Sequence, residues 1–446
     1  MRSILVLGAG RSAAALIQYL VEHAPDQNWK VTVADRSVAH VPAMLPGGTD
    51  GMELLVLDAG VTEARQREIA RHDLVISMLP ASMHLDVVKD CLRDRKPVIT
   101  PSYVTDELWS LDRELKEAGV LVLSELGLDP GIDHMSAMRL IDAIRSEGGE
   151  IEVFESYTGG LIAPESDTNP WGYKFTWNPR NVVLAGQGSA ARFIRDGQYR
   201  YIPYHRLFTR VVRVEVQEYG AFDGYANRDS LKYRELYELQ GVSTLIRGTL
   251  RREGFCAAWN TFVQLGCTDD SYTMHVPKDM TWAQYFGAFL PPLGGKDLRD
   301  ALIAYLQLDG QDAILAKLDW LGIFEDRSTG LDRGTPAQYL QHLLEEKWGL
   351  APKDRDMIVM QHLVGYRSDH GVGRTSSSLV VEGSDPVNTA MARTVGLPMA
   401  IAAKLVLNGS LTHTGVRLPL FKEIYDPVLN ELAELGISFT ERQISS

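Results

Sequence analysis

A carboxylate, a set of arginines and a glycine-rich turn are the parts of this chain whose types and spacing suit chemistry. The carboxylate lies in ELGLDPGIDH, residues 125–134, at the end of an apolar run. Asp129 precedes Pro130, and Ile132, Met135, Met138, Leu140, Ile141 and Ile144 continue at close to helical spacing. Read locally, Asp129 caps that helix, Pro130 takes its first position, where a missing N–H costs nothing, and Asp133 is a first-turn carboxylate. A strand end beside a helix N-terminus also suits an anionic ligand, but caps are the commoner role for such an aspartate. Arg228 sits in the polar loop YANRDS, and Arg247 and Arg251 lie four apart in IRGTLRREGF, on one face if that stretch is helical. An arginine fork suits two-point capture of a carboxylate; surface ion pairs are the ordinary alternative, and the local sequence leaves the two level. The glycine-rich turn is GAGRSAAALIQYL, directly after the apolar run 3–7. Gly8, Gly10 and Ala13 fit the dinucleotide fingerprint: a tight turn, close approach to a pyrophosphate, and close helix–strand packing.

These residues need a scaffold, and the chain supplies a regular one. A second strand, 31–34, ends in Asp35 at the distance expected of a carboxylate that holds ribose hydroxyls. Further strands are expected at 54–57, ending at Asp58; at 74–78, ending at Leu79 and Pro80; at 98–99, ending in TPSY; and at 120–123. Helices lie between them, 106–118 for instance. Alternation of this kind implies a parallel, doubly wound sheet with ligands at the carboxyl ends of its strands. Asp35 favours NAD over NADP, while Arg36 beside it is able to pair a 2′-phosphate.

Past Gly148 and Gly149 the pattern changes. A strand at 151–157 gives way at Gly159 and Gly160 to the loop LIAPESDTNPWGYKFTW, where Lys174 stands among Trp171, Tyr173, Phe175 and Trp177. That composition reads equally as a pocket wall or as a buried aromatic plug. A helix-like stretch begins at 182–184 and a strand covers 211–216. Helical patterns at 282–289, 298–306, 312–320 and 336–344 form a small all-helical insertion. Strands return at 357–360 and 378–381. An apolar helical stretch, 388–407, is broken near Gly396 and Pro398, and 426–435 is a last amphipathic helix.

The chain has 446 residues, 45% hydrophobic and 23% charged, a composition for two or three folded domains rather than disorder. A formal charge of -13 argues against nucleic-acid binding and means that an acidic substrate must meet local cations. Cys91, Cys256 and Cys267 share no metal spacing and suit free thiols in a reducing cytoplasm. His84, His134 and His362 are too scattered for a metal site. The apolar segment 394–403 is too short to span a bilayer, so no membrane partner is expected.

Taken together, GLDPGIDH, GGLxAPESxxNPxxYKFxW, NRDS and RGTLR, in this order after a Rossmann start, resemble the L-glutamate-forming saccharopine dehydrogenases. RDMIVMQH and ARTVGLPMAIAAKLVLNG fit too, so the resemblance covers nearly the whole chain. It implies a Rossmann domain (1–128, with 387–446 packing back on it), a mixed-sheet α/β domain for substrate and dimerisation (129–278 and 353–386), and a helical domain (279–352). It implies NAD- or NADP-dependent interconversion of saccharopine with glutamate and 2-aminoadipate 6-semialdehyde by a homodimer, and the free thiols point to a cytoplasmic location. Asp129 and Tyr103 would be catalytic. Ser102, Tyr103, Asp129, Thr158, Thr176, Trp177, Arg228, Thr249, Leu250 and Arg251 would meet the substrate. Gly8, Gly10, Arg11, Ser12, Ala13, Asp35, Arg36, Asp58, Leu79 and Pro80 would meet the nucleotide. Where the family commonly has SYCGG, this chain has Thr158, which does not titrate near neutrality, so acid–base work falls to Asp129. The segment 211–224 also departs from the family's aromatic–proline pattern. The competing expectations are an imine reductase acting on a carboxylated polyamine and an inactive nucleotide-binding homologue.

Overall fold

Ile4, Leu5, Val6 and Leu7 are completely buried in β1 (Arg2–Leu7), the continuous apolar run of a strand covered on both faces. The computed structural model describes residues 1–45, 48, 51–292 and 294–444. After β1 come α1 (Ala14–Gln27), β2 (Trp29–Asp35), β3 (Met52–Val56), α2 (Thr62–Arg71), β4 (Leu74–Ser77), α3 (His84–Asp94) and β5 (Val98–Ile99). The single helix expected over 106–118 is two, α4 (Asp106–Ser110) and α5 (Asp112–Ala118). Thr105 caps the first through Leu108 N–H, and the Leu111 N–H bonds back only three residues, to Leu108, which closes the turn. β6 (Leu121–Leu123) then leads through ELGLDPG into α6 (Ile132–Ser146).

That entry differs from the expected cap. Pro130 and Asp129 lie outside α6, whose N-cap is Gly131 at φ 147. Gly127 N–H donates to Pro130 O (2.9 Å), and Ile132 N–H donates back to Gly127 O (2.9 Å), closing residues 127–132 into a tight turn. No side chain caps the helix; Asp133, in its first turn, accepts the N–H of the N-cap residue Gly131 at 2.6 Å. A Cβ on Gly131 would stand 2.0 Å from Gly127 O, so only glycine fits.

The next stretch holds β7 (Glu150–Ile162), α7 (Pro179–Val183), β8 (Ala191–Arg195), β9 (Gln198–Ile202), α8 (Tyr204–Leu207), β10 (Val212–Val216), β11 (Gly220–Ala226), α9 (Tyr233–Leu236), β12 (Thr244–Arg252) and α10 (Phe255–Leu265). β7 runs on through Gly159 and Gly160 instead of ending there. At Gly159 a side chain would meet Leu250 at 2.8 Å, so glycine lets β7 and β12 stay together. β12 pairs antiparallel with β11 and parallel with β7. IRGTLRREGF therefore begins as strand, and Arg247 and Arg251 share a face by the two-residue period, not by a helical turn. Beyond lie β13 (Met274–His275), α11 (Trp282–Gly287), α12 (Leu298–Leu306), α13 (Asp312–Leu321), β14 (Arg333–Gly334) and α14 (Pro336–Lys347). Thr281 with Gln284 and Thr335 with Gln338 form capping boxes that start α11 and α14.

The chain ends with β15 (Asp356–Ser368), β16 (Gly371–Glu382), α15 (Ala390–Leu407), β17 (Gly415–Arg417), α16 (Lys422–Glu434) and β18 (Thr440–Gln443). Two compact units result: residues 1–151, 356–360 and 366–446 in the first, and 152–355 and 361–365 in the second. The first holds a seven-stranded parallel sheet, ordered β17-β6-β5-β4-β1-β2-β3. Strand order reverses between β1 and β4, the crevice where doubly wound sheets bind ligands. The other large sheet, of nine strands, is mixed. α15 is one unbroken helix across Gly396 and Pro398, where a break was expected. Gly396 is a contact point: a Cβ there would lie 2.8 Å from Leu16 N of α1. At 18 residues α15 is long and apolar enough to cross a membrane, so the expected argument from length does not hold; 67% of it is buried against the rest of the protein.

Candidate active site

The carboxyl ends of β1, β2, β3 and β4 gather the residues expected to meet a nucleotide. Gly8 has φ +98, and a Cβ there would press on the Met78 backbone at 3.0 Å, so glycine serves the approach of β1 to the end of β4. Nothing lies within 4 Å of a Cβ built on Gly10, and Gly10 opens the turn into α1, with Ala13 fully buried behind it. Open space over backbone at a helix N-terminus fits a pyrophosphate. Arg11, Arg36, Asp58 and Pro80 are exposed, and Ser12 and Leu79 half-buried. Asp58 closes its own turn by accepting Gly60 N–H at 2.9 Å. Asp35 departs from expectation. Its Oδ2 accepts Ala9 N–H (2.8 Å) and its Oδ1 accepts Ser37 N–H (3.1 Å), so it braces the glycine-rich turn. Arg36 is left as the exposed charge at the end of β2.

Ser102 and Tyr103 follow β5, and the Tyr103 hydroxyl donates to Asp129 Oδ1 at 3.1 Å. The structure thus joins the two residues expected to be catalytic. It also shows a support that the sequence did not announce. Glu125, at the left-handed φ of 56 and 2% exposed, accepts Val104 N–H (3.0 Å) on one oxygen and meets His134 Nε2 (2.8 Å) with the other. Glu125 N–H also donates to Ser102 O at 3.1 Å. The loop bearing Ser102 and Tyr103 is therefore tied to α6 through one buried carboxylate. A second support is His84, between Ser77 and Ser102. Burial without a charged neighbour holds its imidazole down to about 4. Four-residue strands and isolated histidines carry no pattern that would have revealed either support.

In the second unit, ladder register sets a polar face across three strands. Thr158 of β7 pairs with Thr249 of β12, and Thr249 with Tyr225 of β11. Arg247 pairs with Ser156, whose hydroxyl meets His362 Nδ1 at 3.0 Å, and Arg251 pairs with Asp223. Asp223 does not neutralise Arg251. It accepts Gly254 N–H (3.0 Å) and Cys256 N–H (3.4 Å) at the start of α10, and burial raises its pKa. Arg251, 5% exposed, donates to Leu250 O (2.9 Å) and lies against the rings of Tyr173 (5.3 Å), Phe255 (5.5 Å) and Tyr225 (5.9 Å). Among the described residues no carboxylate pairs with it, and its Nε has no protein partner. The Thr158 and Thr176 hydroxyls are likewise buried without one.

The remaining expected residues differ in burial. Leu250 is wholly buried on the opposite face of β12, against Gly159, and offers that polar face no side chain. Arg228 is exposed, at φ 46, and Trp177 is half-buried. Trp171, Tyr173 and Phe175 form the plug, packed around Trp348 at 5.4, 5.1 and 5.3 Å. Lys174 is buried and paired with Asp354 at 2.7 Å.

Residues 4–123 match the family model described as the saccharopine dehydrogenase NADP binding domain, and 127–437 that of the saccharopine dehydrogenase C-terminal domain. The saccharopine dehydrogenase [NADP(+), L-glutamate-forming] of Saccharomyces cerevisiae is 35% identical, with all of both chains covered. That of Pyricularia oryzae is 34% identical over 100% of this chain and 99% of its own. The solved apo saccharopine dehydrogenase (L-Glu forming) of Saccharomyces cerevisiae superposes with a TM-score of 0.88 at 34% identity, covering 100% of each chain. The preference for NAD expected from Asp35 finds no support in these names, all of which that specify a nucleotide specify NADP.

Proposed function

The chain belongs to the saccharopine dehydrogenase family, and from that premise we propose that it is an NADP-dependent, L-glutamate-forming enzyme of lysine metabolism. The observation that carries this reading is Arg251, a buried guanidinium that no carboxylate pairs among the described residues, on the sheet face that also bears the unpartnered Thr158 hydroxyl. Such a face wants an anion, and saccharopine, a secondary amine, brings three carboxylates. Oxidation removes a hydride and a proton from the CH–NH unit. Water then adds to the resulting imine, and cleavage of the C–N bond leaves glutamate and 2-aminoadipate 6-semialdehyde.

Asp129 takes the proton of the substrate amine, and the Tyr103 hydroxyl holds that carboxylate in place. Ser102 offers a hydroxyl to a carboxylate. Arg251 binds a carboxylate, with Thr158, Thr176 and Thr249 donating hydroxyl hydrogen bonds. NADP, when bound, supplies the hydride acceptor. Gly8, Gly10 and the N-terminus of α1 hold its pyrophosphate, and Arg36 pairs its 2′-phosphate, with Asp35 bracing the turn.

Initial rates with saccharopine, followed as nicotinamide absorbance, test this. Turnover with NADP should exceed that with NAD, and Arg36→Ala should lower kcat/KM for NADP by roughly 10-fold to 100-fold while leaving NAD nearly unchanged. NADP binding without turnover would instead indicate an inactive homologue. Turnover only of a carboxylated polyamine would indicate the imine reductase.

A further inference from the structure

His84 opens α3 and is 5% exposed. Its Nδ1 lies 2.9 Å from Ser77 Oγ, at the end of β4, and its Nε2 lies 2.8 Å from Ser102 Oγ, just after β5. Thr100 Oγ1 is 3.3 and 3.2 Å from the two nitrogens, nearly equidistant and so in line with neither lone-pair direction. The ring is neutral at neutral pH, so one nitrogen donates and the other accepts.

Ser77 decides which. It is completely buried, and among the described residues its hydroxyl has no partner besides His84. A buried hydroxyl that keeps its hydrogen unshared costs about 1–3 kcal/mol, so Ser77 donates to Nδ1. The ring proton is then on Nε2, and Nε2–H donates to Ser102 Oγ. Ser102 is half-buried, and among the described residues its hydroxyl has no partner besides His84, so its own O–H is left unspent. The direction of the chain Ser77→His84→Ser102 is thereby set from the interior outward, towards the carboxyl ends of the strands.

We infer that His84 is a positioning residue that holds the Ser102 hydroxyl as a donor to a carboxylate of the substrate. This rests on the functional reading above, in which Ser102 meets saccharopine. It adds a polarised serine to the anion-binding groups, fixed by a tautomer and not by a charge. A thermodynamic cycle on the full-length enzyme separates this from a merely structural histidine. His84→Asn places an amide near the Nδ1 position, keeping Ser77 and losing Ser102; His84→Gln reaches the Nε2 position and keeps Ser102.

His84→Asn and Ser102→Ala should each raise KM for saccharopine roughly 10-fold, the worth of one hydrogen bond to an anion. The double variant should be no worse than Ser102→Ala alone. His84→Gln should stay within about 3-fold of the unmodified enzyme, and KM for NADP should not move in any of them. Effects that multiply in the double variant, a His84→Gln as impaired as His84→Asn, or a parallel rise in KM for NADP would each overturn the assignment. Failure of the unmodified enzyme to turn over saccharopine would overturn the functional reading itself. Turnover accompanied by multiplying effects would sink only the role of His84.

Discussion

Arg251 shows how a single side chain can be costly to the fold and still be kept. A buried guanidinium without a carboxylate carries a desolvation penalty that three aromatic rings and one carbonyl offset only in part. Replacement by a long apolar residue should therefore leave the protein as stable or more so. In Arg251→Met the thermal midpoint should stay or rise by a few degrees, while kcat/KM for saccharopine falls by roughly 100-fold or more. Calorimetry beside initial rates checks this. A midpoint that drops together with the activity would make Arg251 a structural residue.

Elements, rather than residues, carry the effect of pH around His84. The histidine joins the ends of β4 and β5 to the start of α3, and its pKa is held at about 4 against 6.5 in the unfolded chain, because burial disfavours the cation. Between those values the unfolded chain binds a proton that the folded one refuses. The stability this pairing contributes is complete above pH 6.5 and is lost as pH falls towards 4, by about 3 kcal/mol in all. Denaturant unfolding at pH 7 and pH 4.5 should show a larger loss for the unmodified protein than for His84→Gln. Equal losses would mean that the imidazole is not kept neutral by its surroundings. The same scale explains Asp129: the turn closed by Gly127, Pro130 and Gly131 places it before the helix, whose N-cap is Gly131.

At the scale of the molecule, the last part of the chain completes the first. β17 extends the parallel sheet beside β6, with Arg417 O accepting Ser124 N–H at 2.9 Å, and α15 lies on α1 at Gly396. Gly396→Val would place a branched side chain against the Leu16 backbone, 380 residues away in sequence by number, and overpacking of this kind costs about 1–3 kcal/mol. Because α1 carries the glycine-rich turn at its start, affinity for NADP should weaken in the same variant. Urea unfolding and nucleotide titration would reveal it; a stable variant with intact NADP affinity would mean that α15 does not set the position of α1.

Local rules determined much of this protein without any structure. Turn chemistry and hydrophobic period gave the β-α alternation, the fingerprint at Gly8 and Gly10, and the helices between 282 and 344, because each depends on neighbours in the chain. The motifs also pointed to Asp129, Tyr103 and Arg251. What only the tertiary structure decided depends on partners far away in sequence. Asp35 turns to the Ala9 amide, Leu250 faces away from Arg251, Lys174 is neutralised by Asp354, and Ser77 sets the tautomer of a histidine that reaches Ser102. Burial and hydrogen-bond direction at these sites are properties of the packed interior, where an unpaired polar atom is expensive, and no local spacing encodes them.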